Sequence, residues 1–451
     1  MLSFLADTLT GLLLPLLLLV GGGYLLVRLR AFFILSPRAC FRLFFKREEG
    51  KNASSPFRAV SVALAGTLGV GNISGVALAL LTGGAGAILY MWLSAFFAMA
   101  LKYAEVTLSL SFRRQNGRGG AMYYIEDGLK TKYRKGLARA FAVLLLVAAF
   151  GVGSLVQANA VASSLDYTLA VPPLFSGLLL SFLTAAVVFG GAKKISAVTL
   201  RLVPVMTLLY TLMAAVILIA RRDALPDAFL QIFRAAAKPE AAFGGVLGFF
   251  TSRAVRVGCA RGIFSNEAGC GTATVAHAMS DTAIPAKQGL FGIFEVFVDS
   301  FLLCTLTALA ILVTFPEASG TGGAMSLILA TFGATYGKYA PYILSLSVAV
   351  FALATILSFA YYGESAVSYL SAKKSHGRLF FILYALSPIA GAVCGEGALF
   401  SLTDLVIAGL TLINTVAVLF LSGRVVSETR TAGLIPLDGL KRREKDRGRK
   451  I

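Results

Sequence analysis

The chain has 451 residues, of which 57% are hydrophobic and only 14% charged, with a mean hydropathy of +0.80. Soluble domains carry about 25% charged residues, so this composition excludes a soluble enzyme or binding domain and predicts an all-α polytopic membrane protein. The net charge of +19 raises the question of nucleic acid, which its distribution along the chain answers below.

Continuous apolar runs near 20 residues, each able to cross a bilayer core of about 30 Å, recur throughout. They predict eleven transmembrane helices at 4–29, 57–81, 86–112, 140–164, 173–190, 197–220, 243–279, 288–314, 340–371, 378–395 and 400–422. The first is read as a retained helix rather than a signal peptide, because no small-residue cleavage site follows a short apolar core. Residues 37–51 mix aromatic and basic side chains, as an interfacial amphipathic helix does, and 221–242 reads as a short surface helix. The seventh and ninth runs are too long for one straight crossing, which predicts a break, a tilt or a lateral helix there. Four segments follow: 1–55 (N-terminal helix and amphipathic stretch), 56–220 and 221–422 (two five-helix repeats), and 423–451 (a basic tail).

Charge fixes an orientation. Of 41 Lys and Arg, 32 fall in connections on one side of this topology and five on the other. The positive-inside bias then predicts a cytoplasmic C-terminus and an outer N-terminus in a plasma or inner membrane. The tail Lys441–Lys450 becomes an orientation signal that touches anionic lipid, and nucleic acid is not expected as a partner. The cysteines (Cys40, Cys259, Cys270, Cys304, Cys394) have no metal-ligand spacing and are expected to be unpaired.

Two stretches break the apolar pattern. Gly66-Thr-Leu-Gly-Val-Gly-Asn-Ile-Ser-Gly75 lies in the second span and Phe264-Ser-Asn-Glu-Ala-Gly-Cys-Gly-Thr272 in the seventh. Glycine loosens the backbone, and hydrocarbon cannot satisfy freed amides, carbonyls or polar side chains, so such segments survive where they line a cavity or bind something. With the first span set aside, the breaks open the first and sixth of ten helices. That is a 5+5 inverted repeat with helices 2 and 7 broken, the plan of secondary transporters. In the first stretch, freed carbonyls suit Na+, the following half-helix offers amides to a carboxylate, and Asn72 offers an amide. A small-residue packing seam is the alternative. In the second, an intramembrane Glu267 needs a partner, with Arg253, Arg256, Arg261 or the freed amides as candidates.

Weaker signals are Gln157 and Asn159 at mid-span, facing a cavity or bonding between helices, the Lys102–Glu105 pair one turn apart, and the hydroxyls of Thr355 and Ser358. Catalysis has little basis. His277 and His376 are the only histidines, no serine elbow faces them, and a phosphate-binding loop is absent.

At these residues the chain closely resembles the alanine or glycine:cation symporter family. The matching stretches include Gly66–Ala77, Gly83-Gly-Ala-Gly-Ala87, Lys102-Tyr-Ala-Glu105, Gly119-Gly-Ala-Met-Tyr-Tyr-Ile125, Val156-Gln-Ala-Asn159, Leu202-Val-Pro204, Phe264–His277, Lys287-Gln-Gly289 and Tyr361-Tyr-Gly-Glu364. The resemblance implies a leucine-transporter-like core carrying a small neutral amino acid with Na+ and no organic cofactor. Carried over by position, it implies substrate contacts at Asn72, Gly75, Gln157, Phe359 and the 262–271 break (Gly262, Phe264, Ser265, Asn266, Gly269). It implies a sodium site from the carbonyls of Ala65 and Leu68 with Ala354 and Thr355. Thr67 and Asn72 fall where relatives hold a second ion. Departures are Phe359-Ala360 for Trp-Ser, Ala354 for Ser, Cys270 for Leu, and Ala85, Ala121 and Thr274 for prolines. The smaller ring at Phe359 predicts a larger pocket.

The expected function is Na+-coupled symport of alanine or glycine by alternating access, in a monomer or weak homo-oligomer. Proton coupling through Glu267 or Glu105, or an amino-acid-gated channel or sensor, are the alternatives.

Overall fold

The computed structural model describes residues 13–48, 55–115, 117–237, 252–317 and 323–436. These are 84% helical, with no strand among them. The start of the first predicted span, the end of the 37–51 stretch, part of the 221–242 connection, the start of the seventh span (243–251) and the tail from 437 onward lie outside the described residues.

Twenty helices order the description. They are α1 (Leu14–Arg28), α2 (Pro37–Phe44), α3 (Ser55–Thr67), α4 (Ser74–Gly83), α5 (Gly86–Ser111), α6 (Ala121–Gly128) and α7 (Arg134–Phe150). Then come α8 (Val156–Leu169), α9 (Pro173–Val188), α10 (Gly191–Ala220), α11 (Leu225–Ala236), α12 (Arg253–Asn266), α13 (Thr274–His277) and α14 (Pro285–Val296). The last are α15 (Thr305–Thr314), α16 (Ala324–Tyr336), α17 (Ala340–Leu370), α18 (Lys374–Val393), α19 (Glu396–Phe420) and α20 (Ser422–Thr431). Prolines open α2, α9 and α14, where the absent N–H costs nothing.

Helices occupy the described part of every predicted span. Seven continuous helical segments among the described residues are long and apolar enough to cross a membrane; α1, α4 and α9 are apolar but shorter. The ninth run holds no break: α17 is continuous over 31 residues, with α16 as a separate helix before it. The tilt or lateral helix predicted there is what remains of that expectation. Two π-helical turns, Gly151–Leu155 between α7 and α8 and Phe297–Cys304 between α14 and α15, widen their helices. Such turns insert a residue that re-aims neighbouring side chains, often at functional sites.

The two interrupted helices lie side by side. The half before the first break, α3, packs on the half after the second, α13, while α4 packs on α12. Only antiparallel neighbours pair crosswise in this way. Both lean on α5, whose face toward α12 and α14 is almost wholly buried.

The second break is shorter than the sequence predicted. Helix α12 continues through Asn266, and the loosened backbone spans 267–273 rather than 262–271. Gly262 is helical because it serves packing: a Cβ there would sit 2.6 Å from Ser94 Oγ on α5. With Gly258 one turn earlier it forms a small-residue seam. The seam considered for the first stretch is thus found at the second.

Candidate functional site

The first break frees particular backbone atoms. In a continuous helix the Gly69 amide would bond the Ala65 carbonyl; it turns instead to the Thr67 carbonyl (2.9 Å) and Asn72 Oδ1 (3.2 Å). The Asn72 amide goes to the Gly69 carbonyl (3.3 Å). The carbonyls of Ala65 and Leu68 therefore leave the helical ladder. A Cβ at Gly69 would stand 2.8 Å from Thr355 Oγ1 and 3.1 Å from Gln157 Oε1, so this backbone lies directly against α17 and α8.

Beyond the break, α4 starts without a side-chain cap. The amides of Gly71, Ser74 and Gly75 donate to no backbone carbonyl among the described residues, as expected of a helix start. These three residues line a cavity of about 240 Å³ together with Asn159, Arg261 and Phe264. A Cβ at Gly75 would meet nothing within 4 Å. The Arg261 guanidinium lies 5.5 Å from the centre of the Phe264 ring and pairs with Asp404 on α19 at 3.1 Å.

Asn72 is buried and reaches across to the second helix. Its amide nitrogen donates to Asp299 Oδ1 (2.6 Å) and Ser265 Oγ (3.0 Å), and Ser265 Oγ also bonds both carboxylate oxygens of Asp299 (2.9 and 3.0 Å). Ser300 Oγ donates to Asp299 Oδ2 at 2.8 Å. Asn72, Ser265 and Asp299 thus tie the first break, the end of α12 and the second π-helical turn into one polar knot.

Other predicted residues sit differently. Gln157 Oε1 accepts from the Val70 amide (3.3 Å) and its Nε2 donates to the Val152 carbonyl across the first π-helical turn. It caps the break and is not on the cavity wall. Its neighbour Asn159 is on that wall, although its nitrogen donates to the Cys394 carbonyl (2.7 Å). Thr67 and Thr355 hydroxyls bond back to the carbonyls of Ala63 and Phe351. Ala354 offers only its carbonyl. Asn266 donates to Ser300 Oγ (3.1 Å) and accepts from the Ala268 amide (3.0 Å). Gly269 turns its carbonyl to Asn414 on α19 (2.8 Å).

Phe359 does not enlarge the cavity. It is buried against Gly153 and packs on Tyr362, with ring centroids 5.0 Å apart. Cys270 likewise faces α19, 3.2 Å from Thr411 Oγ1. Glu267 takes the Thr272 hydroxyl rather than an arginine.

Sequence reading missed Asp299 and Glu295. Glu295 Oε1 lies 3.3 Å from Lys102 Nζ, which is also 3.7 Å from Glu105 Oε1, all three fully buried. The signal was present: two acids four apart in the eighth apolar run, each costly in a membrane without a function or a partner.

Crosswise antiparallel broken helices around a polar, cavity-facing backbone define a secondary transporter of the leucine-transporter-like fold. A substrate-bound, outward-open structure of a Na+-coupled sialic acid symporter has the same fold, at a TM-score of 0.56 and 14% identity over 90% of this chain and 86% of that one. The family model for the sodium:alanine symporter family matches residues 1–432, and the chain belongs to that family. It is 38% identical to the sodium/alanine symporter AgcS of Methanococcus maripaludis over 92% of this chain and 93% of that one. It is 33% identical to the probable sodium/glutamine symporter GlnT of Bacillus subtilis, over 92% and 87%. The protein is therefore a multi-pass membrane symporter and not an enzyme.

Proposed function

We propose that the protein carries a small neutral amino acid, alanine or glycine, inward with Na+ across the plasma membrane by alternating access. One observation carries this reading. The uncapped start of α4 opens into a cavity of amino-acid scale beside carbonyls released from the same break. The substrate carboxylate takes the amides of Gly71, Ser74 and Gly75, where the positive end of the helix dipole favours an anion. The Asp299 carboxylate, buried behind the cavity wall and held by Asn72 and Ser265, attracts the ammonium group through its field rather than by contact. Phe264 closes the cavity wall around the side chain, and Gln157 keeps the break open by holding Val70. Na+ takes the carbonyls of Ala65 and Leu68 with Ala354 and the Thr355 hydroxyl, hard oxygen ligands suited to an alkali ion. Of the substrate residues expected from resemblance, Gly262, Asn266, Gly269 and Phe359 act through packing and backbone support.

To this reading belong eleven crossings, counted from the apolar runs, and an outer N-terminus with an inner C-terminus, taken from the charge asymmetry. The test is uptake by reconstituted liposomes. Alanine or glycine should accumulate with an inward Na+ gradient, which supplies about 2.3 kcal/mol per charge per 100 mV plus its concentration term. Equal uptake with K+ replacing Na+ removes the sodium reading. Uptake of glutamine and not of alanine transfers the substrate to a larger amide.

A further inference from the structure

We propose that His277 and Glu295 form a proton-binding site, distinct from the sodium and substrate positions, that loads or unloads as the second break moves. The inference rests on the symporter reading above and adds a third linked ion to it.

Charge balance is the first ground. Glu105, Glu267 and Glu295 are fully or almost fully buried, and among the described residues Lys102 is the one ammonium beside them. Three carboxylates against one cation leave an excess of buried negative charge, which a protein interior accommodates by taking up protons.

The bonding of His277 says where a proton can go. Its Nε2 is 2.9 Å from Glu295 Oε2, and its Nδ1 is 2.9 Å from Gln288 Nε2. With the Gln288 amide in this orientation its nitrogen donates and Nδ1 accepts, which leaves the ring's hydrogen on Nε2 toward Glu295. Gln288 Oε1 is buried and has no hydrogen-bond partner among the described residues. Half a turn of that amide brings Oε1 to Nδ1, where it accepts from a second N–H. The ring then holds an added proton at Nδ1, taken from water, with both N–H groups satisfied and Glu295 as its counter-ion. Glu105 Oε1 also lacks a hydrogen bond, so the cluster has room to redistribute its bonds.

The surroundings link this proton to transport. His277 ends α13, the half-helix directly after the second break, while Glu295 stands on α14 one turn before Asp299. Motion of the break therefore changes the 2.9 Å contact, and charge at Glu295 is felt at the polar knot. Lys102 and Glu105 face the pair from α5, and Glu267 and Cys270 face it from the break. Tyr362 faces it from α17. Arg113, just past α5, donates to the carbonyls of Ala278 (3.4 Å) and Ser280 after His277, and Lys287 on α14 is paired with Glu48 at 3.1 Å. Nearby, α2 presents Phe44 to Phe291, α19 presents neutral Asn414 to Glu105, and Glu428 of α20 is paired with Arg424 at 2.7 Å.

The test uses purified full-length protein in weakly buffered detergent with a pH-indicator dye. Signals are read after NaCl against KCl, and again after L-alanine, from pH 5 to 8. Up to about one proton per transporter should be exchanged, and apparent alanine affinity should change by up to about tenfold per pH unit. Both should vanish in His277→Gln. A wild-type protein that exchanges no proton with either addition and binds alanine equally at every pH overturns the proposal, without need of a variant. A proton signal with Na+ but none with alanine keeps the proton site and rejects alanine as the substrate.

Discussion

The two breaks share a composition of glycines and short polar side chains, yet they are built as different devices. The first releases the carbonyls of Ala65 and Leu68 and points the amides of Gly71, Ser74 and Gly75 into a cavity. The second is tied down: the Gly269 carbonyl accepts from Asn414, the Cys270 side chain meets Thr411, and the Glu267 carboxylate accepts from Thr272 within the break. It serves the site through the last turn of α12 before the break, where Phe264 and Ser265 stand. A polar interruption in a membrane helix can thus present backbone to a ligand or anchor backbone to a scaffold, and its neighbours decide which.

That contrast can be broken at the first break with large effects. Asn72→Ala removes a buried hydrogen bond to the Asp299 carboxylate, and Asp299→Asn keeps an acceptor but removes the charge. A loss of up to about 3 kcal/mol corresponds to a fall of about 100-fold in Na+-driven alanine uptake, measured in liposomes on protein that elutes as a folded species. Uptake within twofold of wild type in Asn72→Ala would falsify the shared knot. Gly75→Leu fills open space rather than a packed one. It should cut uptake at least about tenfold while leaving the thermal midpoint unchanged, since the cavity needs no side chain there.

At the second break the expected effects fall on stability instead. Gly271 has φ +74°, and a Cβ there would stand 2.8 Å from Asn414 Cγ. Gly271→Ala should therefore cost about 1–2 kcal/mol for the left-handed backbone alone, read as a lower midpoint, with residual uptake per folded protein retained. A variant that keeps its midpoint and loses uptake would move the second break into the binding site.

The smallest effect concerns the contact between the N-terminal segment and the loop before α14. Glu48 bonds the Thr282 hydroxyl, the Ala283 amide (2.8 Å) and Lys287 Nζ (3.1 Å), pinning the segment after α2 to the loop before α14. Burial pushes its carboxyl up, but these donors and the Lys287 charge outweigh it and hold the group below the ordinary carboxylate range. A depressed value means that the stabilisation is present above the unfolded pKa of about 4.3 and is lost as pH falls through the folded value. The midpoint difference between wild type and Glu48→Gln should be under about 1 kcal/mol at pH 7 and close towards pH 4. A difference that grows on acidification would contradict this contact.

Much of the architecture was legible in the chain. Apolar runs located the helices, and glycine with Asn, Ser or Glu in hydrocarbon marked both breaks, because a membrane cannot satisfy freed polar groups. The Lys102–Glu105 pair was legible from its spacing. The extent of the second break was not: Gly262 reads as a helix breaker, but only contact with Ser94 shows that it is a packing glycine. Phe359 was expected to enlarge the pocket, and Cys270 stands where relatives have Leu, yet the direction of each depends on Gly153 and Thr411, which are distant in the sequence.

The sequence by itself determined the class, the membrane setting and the two places where backbone comes loose, since these follow from hydropathy and local propensity. Tertiary structure alone decided that Asn72, Ser265 and Asp299 form one knot, with 193 and 227 positions between partners. It also decided that the first break faces a cavity while the second faces its scaffold. Those outcomes depend on which helices pack against each break, and local sequence does not encode that.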